Sequence, residues 1–212
     1  MKKNTNRKKI IIVIIILLVF ILGIIQIFIK NPIKNNKIGN NSSSQEIIEN
    51  LMNLSSYTIK MEMVVYSNKN ENKYEILQSY EKQGDNEKSM QEILEPENIS
   101  GVKIIQENDK LILENSRLSL KNIIENYKYI TDNCIDLSSF VNEYKNNESR
   151  QQEENGDEII LSFVKTDANP YVKNRILTID KKTGNPKKLE CKSENKKITL
   201  YILYNEVKLN AK

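Results

Sequence analysis

The sequence predicts a mainly β (α+β) fold: a curved antiparallel sheet covered by an N-terminal helix and short mid-chain helices, preceded by one transmembrane helix. Three observations predict it. Residues 10–29 form an apolar run interrupted only by Gly23 and Gln26. Segment after segment beyond residue 56 alternates apolar and polar residues, joined by short Gly/Asn/Asp turns. Apolar residues at helical spacing occur at 47–54 and again between 120 and 147.

The apolar run comes first. A 20-residue helix rises about 30 Å, the thickness of a bilayer hydrocarbon core. Lys2, Lys3, Arg7, Lys8 and Lys9 precede the run, and fewer cations follow it. The basic side stays in the cytoplasm, so residues 1–9 are read as a cytoplasmic tail and the body as extracytoplasmic. The run ends Gln26-Ile27-Phe28-Ile29-Lys30 with no small-residue pair and no following Cys. It therefore reads as an uncleaved signal anchor rather than a secretory signal or a lipidation site. Residues 30–44, rich in Asn, Lys and Ser, form a polar linker, and residues 45–212 form the domain.

Where the linker meets that domain, Ser43 and Glu46 have capping-box spacing, and Ile47, Ile48, Leu51, Met52 and Leu54 make an apolar stripe. A helix there must lie on a sheet. Residues 57–65 alternate as a half-buried strand, with strands expected at 74–82, 88–94, 102–106 and 110–114. Leu120, Ile123, Ile124 and Tyr127 are spaced for one helix, and Leu137, Phe140, Val141 and Tyr144 for another. Residues 146–155 read as a charged loop. Strands resume at 157–165, 172–180, 186–193 and 197–207, with Gly184 taking positive φ in the turn after Asp180. Seven or more strands joined by short turns argue for one antiparallel sheet. Its edge strands offer a route for two copies to pair or swap.

Composition narrows the function. Of 32 Lys+Arg, six lie in residues 1–30, which hold no acid; the rest of the chain has 26 basic and 28 acidic residues. A body so close to neutral lacks the basic face a nucleic-acid binder needs. With no His, a Ser-His-Asp triad and His-containing metal sites are excluded. No catalytic residue, metal ligand or cofactor motif is assigned. The acidic groups Glu153-Glu154, Asp157-Glu158 and Glu95/Glu97 read as solvated loop charges, and Ser138 or Ser139 as a helix cap. Cys134 and Cys191 form either a disulfide, permitted by an oxidising exterior, or two buried thiols; a bridge closing so long a loop contributes roughly 4 kcal/mol. Ile59, Met61, Met63 and Val65, with Ile198, Leu200 and Ile202, line the inner face of the sheet, as core or as the wall of a cavity.

The segment Arg175-Ile176-Leu177-Thr178-Ile179-Asp180-Lys181-Lys182-Thr183-Gly184-Asn185-Pro186-Lys187-Lys188-Leu189 resembles a hairpin of the LolA and RseB family, in which a strand ending in Asp meets a Thr-Gly-x-Pro turn. The order helix, meander, mid-chain helices, meander over 45–209 resembles that family's layout, a LolA-like half-barrel. Residues 94–102 (Leu94-Glu95-Pro96-Glu97-Asn98-Ile99-Ser100-Gly101-Val102) and 111–120 are most similar to GerS-type germination proteins. The resemblance implies a non-catalytic, membrane-anchored adaptor that assists a spore-cortex or cell-wall amidase during sporulation and germination. The alternative it implies is a carrier holding the acyl chains of a lipid or lipoprotein in the concave face. GerS-type proteins are lipoproteins, whereas this chain has no Cys after its apolar run.

Overall fold

The computed structural model describes residues 42–67, 69–125, 127, 134–165 and 169–211. The basic tail, the apolar run 10–29 and nearly all of the linker lie outside the described residues. Among the described residues no helix is long and apolar enough to cross a membrane.

Eleven strands form one curved antiparallel sheet: β1 (Leu54–Ser67), β2 (Asn70–Gln83), β3 (Asn86–Glu95), β4 (Val102–Glu107), β5 (Lys110–Asn115), β6 (Leu120–Ile124), β7 (Gln151–Asn155), β8 (Glu158–Val164), β9 (Asn174–Asp180), β10 (Pro186–Lys192) and β11 (Ile198–Ala211). Their order is β6-β5-β4-β3-β2-β1-β11-β10-β9-β8-β7. The sheet is thus two meanders, β1–β6 and β7–β11, joined where the first strand meets the last. That seam runs from Leu54↔Ala211 to Val65↔Leu200. It ties the start of the domain to its end, so neither meander closes without the other.

Helix α1 (Ser44–Met52) and helix α2 (Leu137–Asn146) supply the cover. The Ser43 hydroxyl accepts from the Glu46 N–H at 3.2 Å, the first half of the expected capping box. Ile47 and Leu51 of α1, and Leu137, Phe140 and Val141 of α2, are buried in one cluster with Ile59, Met61, Leu177, Ile179 and Ile202 of the sheet. Each such side chain contributes about 1.5–3 kcal/mol on burial, which explains how a nine-residue helix of modest propensity persists.

Gly184 sits at φ +70° and donates its N–H to the Asp180 carbonyl at 2.8 Å. Asp180 Oδ1 accepts from the N–H groups of Lys182 and Thr183 at 2.9 and 2.8 Å. Burial opposes the Asp180 charge, but these bonds hold its carboxyl below the usual range. The Thr-Gly-x-Pro turn is therefore closed around one carboxylate.

Three expectations are corrected. Residues 120–124 form strand β6, not a helix: Leu111↔Ile124 through Asn115↔Leu120 pair it with β5. A segment this short satisfies either period, and the waiting edge of β5 decides between them. Residues 151–155 form strand β7 rather than loop; all five side chains are exposed, so the strand carries no alternation to read. The cap of α2 is Asp136, whose Oδ1 accepts from the Ser138 N–H at 2.8 Å; Ser138 lies inside the helix.

Candidate functional site

Beneath α2 the sheet carries polar side chains at inward positions. Arg175 of β9 alternates with Leu177 and Ile179 and points to the same covered face. Only 1 % of Arg175 is exposed. Its Nη1 donates to Glu143 Oε2 of α2 at 2.8 Å and its Nη2 to the Cys134 carbonyl at 3.1 Å. The guanidinium also lies 5.7 and 5.8 Å from the ring centres of Phe140 and Phe163. Burial opposes the Arg175 charge, but Cys191, Glu143 and Cys134 around it outweigh that and raise its pKa.

Tyr57 of β1 stacks on Tyr80 of β2 with centroids 5.2 Å apart, and its hydroxyl donates to Asp136 Oδ1 at 2.6 Å. Burial, then the Asp136 charge, push the Tyr57 hydroxyl well above its ordinary pKa, and burial pushes Tyr80 up to about 12. Gln78 Nε2 donates to the Ile135 carbonyl at 3.5 Å. Three sheet side chains, Tyr57, Gln78 and Arg175, thus pin three successive residues, Asp136, Ile135 and Cys134. The turn leading into α2 is sewn to the sheet by hydrogen bonds.

This cluster is built to hold a helix rather than to react. Asp136 Oδ1 receives Tyr57 Oη, the Ser138 N–H and, at 2.7 Å, the Ser138 hydroxyl. The Ser138 hydroxyl is thus the third donor to one carboxylate oxygen, and it reinforces the cap of α2. The Ser139 hydroxyl contacts Glu143 at 3.4 Å. Among the described residues no three His, Cys, Asp or Glu are grouped as metal ligands. Glu95, Glu97, Glu153, Glu154 and Asp157 are exposed, and Glu154 and Asp157 pair with Lys181 and Lys182.

Cys134 and Cys191 are brought together by the fold without a disulfide between them; the Cys191 thiol hydrogen-bonds with Cys134. That bond, then burial, push the Cys191 thiol far up. Ile59, Met61 and Ile202 have no accessible surface, and Met63 and Leu200 are 6 % exposed. A side chain that no water-sized sphere can touch lines no void, so Ile59, Met61 and Ile202 are packed core. Val65 is half-buried, and Ile198, at the start of β11, is 39 % exposed beyond the helix cover.

A cleft of about 280 Å³ opens between the C-terminal end of α1 and α2, with Asn53, Ser55, Tyr80, Lys82, Val141 and Lys145 among its walls. Its walls are mixed in polarity, and Tyr80 and Val141 among them belong to the core cluster. The buried cluster itself escaped the sequence reading; the one available signal was Arg175, a cation at an inward position of an alternating strand.

No family model matches the chain, and no curated protein matches it in sequence. Solved structures do match in fold. One is a chain of the complex between the CwlD amidase from Clostridioides difficile and the GerS lipoprotein: 20% identity, 79% of this chain and 96% of that chain covered, TM-score 0.50. A LolA superfamily protein from Nitrosomonas europaea aligns at 14% identity over 81% of this chain and 95% of that one, TM-score 0.40. The Pseudomonas aeruginosa MucA/MucB complex aligns at 10% identity over 79% of this chain and 56% of that one, TM-score 0.46. The described domain shares its fold with a chain of the GerS–CwlD complex, in keeping with the layout its sequence resembles.

Proposed function

We propose that the protein is a non-catalytic adaptor, held in the cell membrane by residues 10–29, whose extracytoplasmic domain binds a protein partner, a cell-wall amidase, during sporulation and germination. The observation that carries this reading is the packed centre of the inner face, under the two helices. Helices α1 and α2 occupy the place where a carrier would keep its cargo, and Ile59, Met61 and Ile202 meet helix side chains rather than space. With the centre of its sheet packed in this way, the domain offers a partner its surface. The choice of an amidase rests on the GerS lipoprotein, a protein of similar fold whose complex is with the CwlD amidase. A membrane helix takes the place of the lipid that a lipoprotein uses for anchorage.

The test is affinity purification of the tagged, full-length protein from membranes of sporulating cells, with partners identified by mass spectrometry. Enrichment of a wall amidase over an unrelated anchored control is the expected result. Recovery of the bait alone, or of a mature chain beginning near residue 30, counts against the adaptor and the anchor respectively.

A further inference from the structure

The outer face of the β3–β6 half carries three parallel rows of side chains, two crossing all four strands and the third running across β3, β4 and β5 to Glu125, one residue past β6. The middle row is apolar: Met90, Ile105, Ile112 and Ile123 stand opposite one another in register. The row on one side alternates in charge, Glu92, Lys103, Glu114, Lys121, with contacts of 3.7 Å for Lys103–Glu92 and 3.8 Å for Lys121–Glu114. The row on the other side alternates in the opposite phase, Lys88, Glu107, Lys110, Glu125, with Lys88–Glu107 at 3.6 Å and Lys110–Glu125 at 3.4 Å.

All three rows stop at β6, the last strand on its side of the sheet among the described residues. Its five side chains are all exposed, including Leu120 at 61 %, Ile123 at 49 % and Ile124 at 37 %. An unpaired strand with apolar side chains and no Pro is the kind of edge that proteins ordinarily blunt. The opposite edge is blunted: β7 reads Gln-Gln-Glu-Glu-Asn, and pairing two copies of it brings acids together.

We propose that β6 pairs antiparallel with β6 of a second copy of this chain, in a register centred on Ile123. In that register Ile123 faces Ile123 of the second copy, and Lys121 faces its Glu125. The apolar row then continues unbroken across the two-fold axis. Each charge row also keeps its alternation, because Glu92, Lys103, Glu114, Lys121 is followed by Glu125, Lys110, Glu107, Lys88 of the other copy. Centring on Lys121 sets like charges together, and centring on Asn122 sets Lys121 against Ile123. A shift by one residue turns every side chain to the wrong face. Charge complementarity therefore selects both the occupant, a second copy, and a single register, and two-fold symmetry closes the pair without leaving that edge open.

Cysteine cross-linking in membranes tests it on the full-length chain. Ile123→Cys should give a dimer band under copper–phenanthroline on a non-reducing gel, since facing Cα atoms lie about 4.5–5.5 Å apart, within disulfide reach. Two differently tagged chains, one Lys121→Cys and one Glu125→Cys, should cross-link to each other when co-expressed. Lys121→Cys alone should give at least tenfold less, because its two copies are offset by four residues, about 13 Å. Wild type, with Cys134 and Cys191 only, and Glu153→Cys in β7 serve as controls. Failure of both Ile123→Cys and the 121/125 pair to form dimer overturns the proposal. So do cross-linking of Ile123→Cys to a protein of different mass, and equal dimer at 121, 123 and 153.

Discussion

Tyr57 on the first strand donates its hydroxyl proton to Asp136, the residue that caps α2, across 2.6 Å and 79 positions of sequence. The bond joins the centre of the sheet to the start of the helix that covers it. Removing it with Tyr57→Phe keeps the ring stacked on Tyr80 but deletes a hydrogen bond to a charged acceptor. The expected loss is about 1.5–3 kcal/mol in equilibrium urea denaturation. A loss below about 0.5 kcal/mol, the scatter of ordinary surface substitutions, contradicts the role given to this bond.

Arg175 and Glu143 should respond asymmetrically. Glu143→Ala strands a guanidinium that is 2 % exposed with a single remaining backbone acceptor, Cys134 O, at an expected cost of about 3–5 kcal/mol. Arg175→Met removes the charge and keeps the apolar contact with Phe140 and Phe163. Glu143, 22 % exposed, still pairs with Lys165 at 3.2 Å. The Met variant should therefore be the milder of the two by the same measurement, and the reverse order contradicts the account.

The buried tyrosines set an alkaline limit. Burial, with Asp136 adding to it, raises Tyr57; burial raises Tyr80 to about 12, and it raises Tyr204 further. A phenol whose folded pKa lies above its unfolded value stabilises fully below about pH 10. That stability falls as pH rises from there through the folded pKa, by about 1.4 kcal/mol per pH unit for each tyrosine. Between pH 10 and 12 the urea midpoint should drop steeply, and phenolate absorbance should appear with unfolding rather than before it. Early ionisation of these phenols in a still-folded domain contradicts their burial.

The thiol pair gives a reactivity test. Cys191 is fully buried and its thiol is pushed up by its hydrogen bond with Cys134 and by burial, so it is protonated at ordinary pH and a poor nucleophile. Iodoacetamide at pH 8 should leave Cys191 unmodified in the folded protein and modify it in urea. Prompt alkylation of Cys191 in the folded protein contradicts the packing described.

The sheet and its cover were legible because they repeat. Tyr57, Ile59, Met61 and Met63 alternate over a strand long enough to leave no second reading, and Ser43 with Glu46 marks the start of α1 in the sequence alone. The edges were not legible, for opposite reasons. Strand β6 carries an apolar spacing that suits a helix equally well, whereas β7 carries no apolar residue at all; pairing with β5 and β8 decides both, and pairing partners are not local information. Gly184 and Asp180 declared their turn through chemistry fixed at short range. The cluster of Tyr57, Asp136, Arg175 and Glu143 depends on contacts 32 to 79 residues apart, and a strand pattern read for hydrophobicity passes over the inward Arg175 that announces it.

The packed centre of the inner face is where the account is most exposed. Full-length protein purified from its own membrane in a mild detergent, washed, extracted with organic solvent and analysed by lipid mass spectrometry should yield no acyl lipid beyond an unrelated single-span control. One mole of a defined lipid per mole of protein, lost on substituting Met61 or Ile202 with a larger side chain, would contradict it.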